Sequence, residues 1–328
     1  MRRTHHLIAS VSVCAVALGL PVCALAQTPG PQPSPADGDM VEEVVVTARG
    51  RLEQLKDVAV SASVIDGQAL QAAVILNLQD FSTRVPNFRI NTSGQSDYIV
   101  IRGMGSSANS GFEQSVATFV DGVYRSRSRS SRSTLFDIER VEVLRGPQTT
   151  FFGNNAIAGA LNIVTRKPSG NFGGNASIYY GEYGEYSVEG GVNLPLTDTL
   201  SARVAARTTG MEGYIQNSRP GVGDGPMMQS FNGRFAVAWR PSDNTTVDAR
   251  LDVGRTHDKN QALVELFNCP PVVGTPRGPC LRYATGVGAS AVDDDLDYRT
   301  DLGPSLFDLK YEEAVITGKQ VFDSFNLT

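Results

Sequence analysis

Histidine, cysteine and long apolar runs are all scarce in this chain. Of 3 histidines in 328 residues, His5 and His6 stand at the extreme N-terminus and only His257 lies in the body. One histidine gives a Ser/His/Asp arrangement no choice of base and a zinc centre no set of imidazoles. With Asp258 beside it at the foot of a loop, His257 reads as a solvated side chain rather than a haem or metal ligand. After residue 26 no segment offers 18 consecutive apolar residues, so no membrane helix is expected. A wall of alternating strands is untouched by that argument, because it spreads its apolar surface over every second position. Nothing calls for an enzyme's machinery or for a cofactor.

The first 26 residues explain the one apolar run present. Arg2 and Arg3 precede Leu7 to Leu20, and Ala24-Leu25-Ala26 precedes Gln27, the layout of a secretory signal peptide with cleavage expected after Ala26. A lipid anchor on Cys23 fits less well, because bulky Val22 stands where a small residue is wanted. The paired arginines are also what any basic leader carries. Removal of the leader takes two arginines and no acid, leaving 27 basic against 34 acidic residues, a net charge of −7. An acidic exported protein is not expected to bind nucleic acid. Cys14 and Cys23 leave as well, so two of the 4 cysteines remain. Cys269 and Cys280, in a Pro/Gly-rich segment of an exported chain, are placed to close one loop disulfide, with two free thiols as the other reading.

Two decoys need weighing. Gly103-Met104-Gly105-Ser106-Ser107-Ala108 follows a strand and Asp121 lies 18 positions on, a dinucleotide fingerprint on paper. The fingerprint needs a helix whose N-terminus receives the pyrophosphate, yet residues 106–115 have Gly111 inside them and no apolar stripe. The run from Arg125 through Arg127 and Arg129 to Arg132 resembles a nucleic-acid arm, but as part of an acidic exported domain it reads as a solvated loop.

Four regions differ in texture. Residues 27–55 begin as a Pro/Gly-rich linker without apolar period and contain Val41-Glu42-Glu43-Val44-Val45-Val46-Thr47-Ala48. This β-branched run suits strand addition to another protein's sheet edge, and equally an ordinary first strand. Residues 56–168 mix short helices at 67–73 and 76–83 with strands at 59–65, 88–91, 98–102, 116–120, 140–144 and 161–165, an α+β domain. From 169 to 328 the chain becomes period-two segments. In Tyr186 to Leu194 the residues Tyr186, Val188, Val192 and Leu194 share one face, and in Thr245 to Val253 the apolar set Val247, Ala249, Leu251 and Val253 opposes Thr246, Asp248, Arg250 and Asp252. Arg203, Arg207, Asn232 and Arg234 lie on the polar side of two more segments. Length and the alternation of short with long connections favour a transmembrane β-barrel over a soluble sandwich. Tyr179, Tyr180, Tyr183 and Tyr186 are placed for an interfacial aromatic girdle. Six strands are expected, the last at Val321 to Leu327, with 256 to about 316 a long loop. Six cannot close around a stopper domain, so the sequence reads as the N-terminal part of a longer protein.

Tyr98 to Gly103 (YIVIRG), Phe119 to Tyr124 (FVDGVY) and the stretch 137–168, DIERVEVLRGPQTTFFGNNAIAGALNIVTRKP, together resemble the plug domain of TonB-dependent outer-membrane receptors. The resemblance implies an α+β plug followed by the opening strands of an antiparallel transmembrane β-barrel, in the outer membrane of a Gram-negative bacterium. It implies that Glu42, Glu43, Val44, Val45, Val46, Thr47 and Ala48 form a TonB box taken as an added strand by the energy-transducing protein TonB. It further implies that Arg102 and Arg145, in the IRG and LRGP motifs, lock the plug against glutamates of the wall, with local pairing to Asp137, Glu139 or Glu142 as the other reading. Gly103, Asp121, Gly122, Glu142, Gly146, Gly153 and Asn155 complete the plug motifs. The usual Gly-Arg-Asn corner reads Gly153-Asn154-Asn155 here, and the usual paired glycines read Ala158-Gly159. The implied protein is a monomer in outer-membrane lipid that imports a scarce small molecule, a ferric siderophore first, rather than an enzyme. A non-transporting exported adhesin or binding module is the alternative.

Overall fold

The computed structural model describes residues 45–48, 51–54, 61–92, 97–106, 113–126, 135–153, 155–260, 265–267, 292–293, 295–322 and 326–327. The leader, most of the linker, Glu42, Glu43, Val44, Cys269 and Cys280 lie outside them. Strands β1 (Val45–Ala48) and β2 (Arg51–Gln54) pair antiparallel as a sheet of their own, Val45 opposite Gln54 and Ala48 opposite Arg51. The described part of the β-branched run, Val45–Ala48, thus has a strand partner within its own linker.

The α+β domain is built on a five-stranded sheet. Its strands are β3 (Ser61–Asp66), β9 (Ile138–Arg145), β10 (Gly159–Thr165), β7 (Val116–Val120) and β8 (Val123–Arg125), in that spatial order. Only β10 and β7 run parallel; a hairpin joins β7 to β8 and β9 is antiparallel to both neighbours. A second sheet holds β4 (Phe88–Thr92), β5 (Asp97–Ile101) and β6 (Met104–Gly105). Helices α1 (Gly67–Ala72) and α2 (Leu78–Ser82) have side-chain N-caps, Asp66 accepting from the Ala69 N–H at 2.7 Å and Asn77 from the Asp80 N–H at 2.9 Å. They bury Leu70, Leu78 and Phe81 with Phe88, Ile101, Val141, Val143, Leu161 and Ile163 in one core. Every residue of β10 is buried, which is why its sequence is apolar almost throughout rather than alternating.

Gly67 starts α1 hard against β9: a Cβ there would land on the Ile138 carbonyl oxygen. Gly67→Ala must push helix and strand apart, and we expect a loss of about 1–3 kcal/mol of plug stability, read by denaturant unfolding. An unchanged midpoint would show that the helix is free to slide on the sheet.

The two glycine-bearing strand ends take a form the sequence hid. Arg102 and Gly103 sit at φ 52° and 81°, and Asp121 and Gly122 at 48° and 82°. Both pairs are the centre of two-residue hairpin turns, of the kind whose twist matches the flanking strands. Gly103 to Gly105 therefore leads into β6 and not into a helix, which removes the dinucleotide reading.

From Gly173 the chain forms a seven-stranded antiparallel wall: β11 (Gly173–Tyr180), β12 (Tyr186–Pro195), β13 (Leu200–Met211), β15 (Met227–Ser242), β16 (Thr245–Lys259), β20 (Leu306–Val321) and β21 (Asn326–Leu327). The two-residue strands β14 (Gln216–Asn217) and β19 (Arg299–Thr300) tie two of its connecting segments together, as β17 (Leu266–Phe267) and β18 (Val292–Asp293) do in the longest. One face of the wall exposes Ile178, Val188, Val204, Phe235, Leu251 and Ile316; the other carries buried Arg203, Arg207, Arg234, Arg250 and Asp252. An apolar sheet face of that extent is the signature of a surface made for a non-aqueous neighbour. No helix among the described residues is long and apolar enough to cross a membrane, which says nothing of strands.

Two expectations are corrected. The sixth strand is not Val321 to Leu327 but β20, sixteen residues within and beyond the stretch read as loop. Its pattern hid it, because beyond Ala314 the apolar face gives way to Glu312, Lys310 and Asp308. They stand opposite Val253, Arg255 and His257 of β16, and Arg255 Nη2 donates to Asp308 at 2.8 Å. The strands outrun their own apolar stripe. His257 joins that group, its Nδ1 lying 3.1 Å from Asp308. Among the girdle tyrosines, Tyr180 and Tyr183 are exposed and the Tyr186 ring lies over Gly210. Tyr179 instead occupies the opposite face, its hydroxyl 3.2 Å from Glu185.

Candidate functional site: an ionic interface between plug and wall

The polar side of the wall meets the plug through arginines, one strand after another. Along a strand every second residue faces the plug, so Arg203 and Arg207 of β13, Arg234 of β15 and Arg250 of β16 project from neighbouring strands onto one surface. Their targets are the short segment leading into β9 and the turn after β7.

Leu135-Phe136-Asp137 is held by three of them. Arg203 forks onto the Asp137 carboxylate, Nε to Oδ2 at 2.8 Å and Nη2 to Oδ1 at 2.5 Å. Its Nη groups also reach Asn175 at 2.7 Å and Asn193 at 3.1 Å. Arg234 donates from Nη1 to the Phe136 carbonyl at 3.0 Å, stacks 5.1 Å over the Phe136 ring, and pairs through Nε with Asp252 at 2.6 Å. Arg207 donates to the carbonyls of Leu135 and Leu76. Asp137 and Arg203 are 1% and 2% exposed, so each charge depends on the other: a buried ion is tolerated when paired and hydrogen bonded, and strongly destabilising when not.

The second contact centres on Arg250. Its Nη1 pairs with Asp121, its Nη2 lies 2.9 Å from Glu313 of β20, and its Nε lies 2.9 Å from Asp252. That last contact is close without being aligned as a hydrogen bond. Asp121 also accepts from the Thr165 N–H at 2.9 Å and the Thr165 hydroxyl at 2.7 Å, which pins the end of β10 to the turn after β7. Arg125 of β8 pairs with Glu313. Burial, with the Arg250 charge second, lowers the Arg125 pKa from its usual value. Arg125 is therefore no member of a solvated loop; Arg127, Arg129 and Arg132 lie outside the described residues.

The expected lock arginines behave differently. Arg145 donates to the hydroxyls of Ser61 at 3.1 Å and Ser63 at 2.5 Å. Burial, reinforced by the nearby Arg102 charge, lowers its pKa. Arg102 is exposed in its turn. Among the described residues neither has a carboxylate within ion-pair distance. The acids offered for local pairing are engaged elsewhere: Glu139 and Glu142 with Arg140, Asp137 with Arg203. Glu142, wholly buried, also accepts from Asn162 at 3.1 Å. Asn155 donates to Glu113 and Tyr124, each at 2.6 Å, cross-linking the corner after α3 (Thr149–Phe152) to β8. Gly146 and Gly153 take φ 96° and 81°, values that favour glycine. The wall arginines and Glu313 went unassigned by sequence reasoning; a guanidinium on the polar face of successive strands was the available signal.

A stopper domain gripped by arginines on the inner face of an antiparallel wall defines the class of plugged outer-membrane barrels, and the comparisons agree. Residues 54–160 match the model of the TonB-dependent Receptor Plug Domain. The iron-regulated outer membrane virulence protein of Vibrio cholerae is 33% identical over 294 residues, 83% of this chain and 42% of that protein. The ferrioxamine B receptor of Salmonella typhimurium is 28% identical over 201 residues, 57% of this chain and 26% of that one. In fold, the crystal structure of the ferric yersiniabactin uptake receptor FyuA from Yersinia pestis superposes with a TM-score of 0.66 at 20% identity, covering 80% of this chain and 39% of FyuA. The ferripyoverdine receptor of Pseudomonas aeruginosa gives 0.66 at 14% identity, 85% and 34%. Residues 54–160 belong to the plug family of TonB-dependent receptors, and the strands that follow share the fold of those receptors' walls. The chain spans less than half the length of these relatives.

Proposed function

We propose that the protein is an outer-membrane receptor that imports a ferric siderophore, drawing energy from TonB. The observation that carries this is the plug held inside the wall by Arg203, Arg207, Arg234 and Arg250: a folded stopper secured by polar contacts can be shifted without unfolding the wall, whereas an apolar core could not. The relatives named as an iron-regulated outer membrane virulence protein and a ferrioxamine B receptor support iron as the cargo.

In this reading the leader is removed after Ala26 and residues 27–55 form the linker carrying the TonB box from Glu42 through Ala48. Residues 56–168 are the plug, and 169–328 are barrel strands whose apolar face meets outer-membrane lipid as a monomer. Arg102 and Arg145, two like charges side by side, are assigned to receive carboxylates of the wall, since repulsion between them is relieved by acids placed across both. Cys269 and Cys280 are assigned to one disulfide.

Val45→Pro tests the coupling. Proline removes an N–H and fixes φ, so it breaks strand addition at the box while leaving the plug untouched. Cells carrying this substitution in the protein's own gene are expected to bind ferric chelate at the surface and to lose radioactive iron uptake to the level of a TonB-deficient strain. Undiminished uptake would reject 42–48 as the coupling strand.

A further inference from the structure

At the loop end of the wall three tyrosines from three separate segments make one exposed aromatic shelf. Tyr183 lies in the turn between β11 and β12, Tyr214 in the segment leaving β13, and Tyr298 just before β19. Ring centroids are 5.7 Å apart for Tyr183 and Tyr214, inclined at 54°, and 6.2 Å for Tyr214 and Tyr298, edge to face at 82°. The residues are 56%, 40% and 52% exposed, so the rings touch one another and still present area to their surroundings.

The backbone beneath is constructed to hold them. The Glu212 N–H donates to the Tyr183 carbonyl at 2.9 Å, the Gln216 N–H to the Tyr298 carbonyl at 2.8 Å, and the Tyr214 N–H to the Gly225 carbonyl at 3.0 Å. Glu265 receives the Tyr298 N–H at 2.9 Å. Tyr183 and Tyr298 sit at φ 55° and 59°, a conformation bulky residues seldom adopt and one that persists where surrounding structure imposes it. Three segments are thus stapled so that their tyrosines converge, although neither strand pairing nor core packing requires tyrosine there. Arg299 follows Tyr298 directly, its side chain 66% exposed and its Nε 3.4 Å from Asp297, with which it shares its charge; Arg219, on the segment paired with it, is exposed too.

We propose that this shelf binds the aromatic part of an anionic aryl chelate of iron, of phenolate or catecholate type, with Arg219 and Arg299 supplying countercharge. The assignment rests on the import reading and narrows its cargo. Edge-to-face and tilted rings offer faces and edges to further planar rings, and guanidinium groups favour the surplus negative charge of such chelates. An aliphatic chelate has no ring to place there.

The test is equilibrium binding to the receptor produced from its own gene and purified in detergent, with ferric tris(catecholate) and an aliphatic ferric trihydroxamate as probes. Tyr214→Ala is expected to weaken the catecholate by roughly tenfold, and Tyr214→Phe by less than about twofold, as stacking on a ring requires. Trihydroxamate binding should not change in either variant. Unchanged catecholate affinity in Tyr214→Ala, equal losses for both probes, or a wild type without preference for the aryl chelate would overturn the proposal. So would a lowered melting temperature with discrimination intact, which would make the tyrosines an interfacial anchor instead. Energy-dependent uptake of the ferric catecholate, undiminished in Tyr214→Ala, would sink the shelf and leave the import reading standing.

Discussion

Arg203→Ala is expected to destabilise the seating of the plug by about 3–5 kcal/mol, the range for removing one partner of a buried ion pair. The size follows from what is left behind. Asp137 is 1% exposed and receives both its Nε and Nη2 bonds from Arg203, so the substitution strands a carboxylate away from water. Asn175 and Asn193 lose a donor at the same stroke. Adding Asp137→Ala should return much of the loss, because the double variant carries neither charge. Amide hydrogen exchange across 135–145, followed in single and double variants, measures both. If Arg203→Ala left protection there unchanged, the pair would be incidental to how the plug is held.

Arg250→Ala is expected to cost about 3 kcal/mol or more by the same mechanism, but through crowding as well as desertion. Asp121, Asp252 and Glu313 all lie against this one guanidinium. Arg234 still serves Asp252 and Arg125 still serves Glu313, so the unrelieved charge is Asp121, whose remaining bonds come from Thr165. Arg250→Lys should recover only part of the stability, since an ammonium is a point charge and cannot serve three carboxylates from a planar fork. Denaturant unfolding of the three proteins decides the matter: full rescue by lysine would show that charge alone, without the fork, suffices.

How much of this was legible beforehand depended on where each signal resides. The β12 and β16 faces could be read because alternation is a local property, and the apolar and polar sets named from sequence are those the wall presents. The far half of β20 could not, because Lys310 and Glu312 occupy outward positions where the strand rises past its apolar stripe. The arginines of the wall were visibly on the polar side, and Asp137 and Asp121 stood in recognised motifs. Their pairing was invisible, because partners such as Asp137 and Arg203 are 66 positions apart and meet only through the packing of two domains. Arg102 closes the strand expected at 98–102, yet its left-handed φ comes from a turn that Arg-Gly signals far more weakly than Asn-Gly or Asp-Gly. The pairing of β1 with β2 escaped because Arg51 to Gln54 has little β-branched content.

That small sheet has a kinetic consequence. Among the described residues one edge of Val45–Ala48 pairs with Arg51–Gln54 and no strand pairs with the other, and a two-stranded hairpin is by itself marginally stable in water. An incoming third strand can therefore dock on the vacant edge, at a rate proportional to its concentration, or wait for the hairpin to spring apart and replace one arm. The second route levels off at the opening rate however much partner is supplied, and its apparent affinity falls by the fraction of molecules found open. A plot of observed association rate against partner concentration, straight or bending to a plateau, reports which door is used.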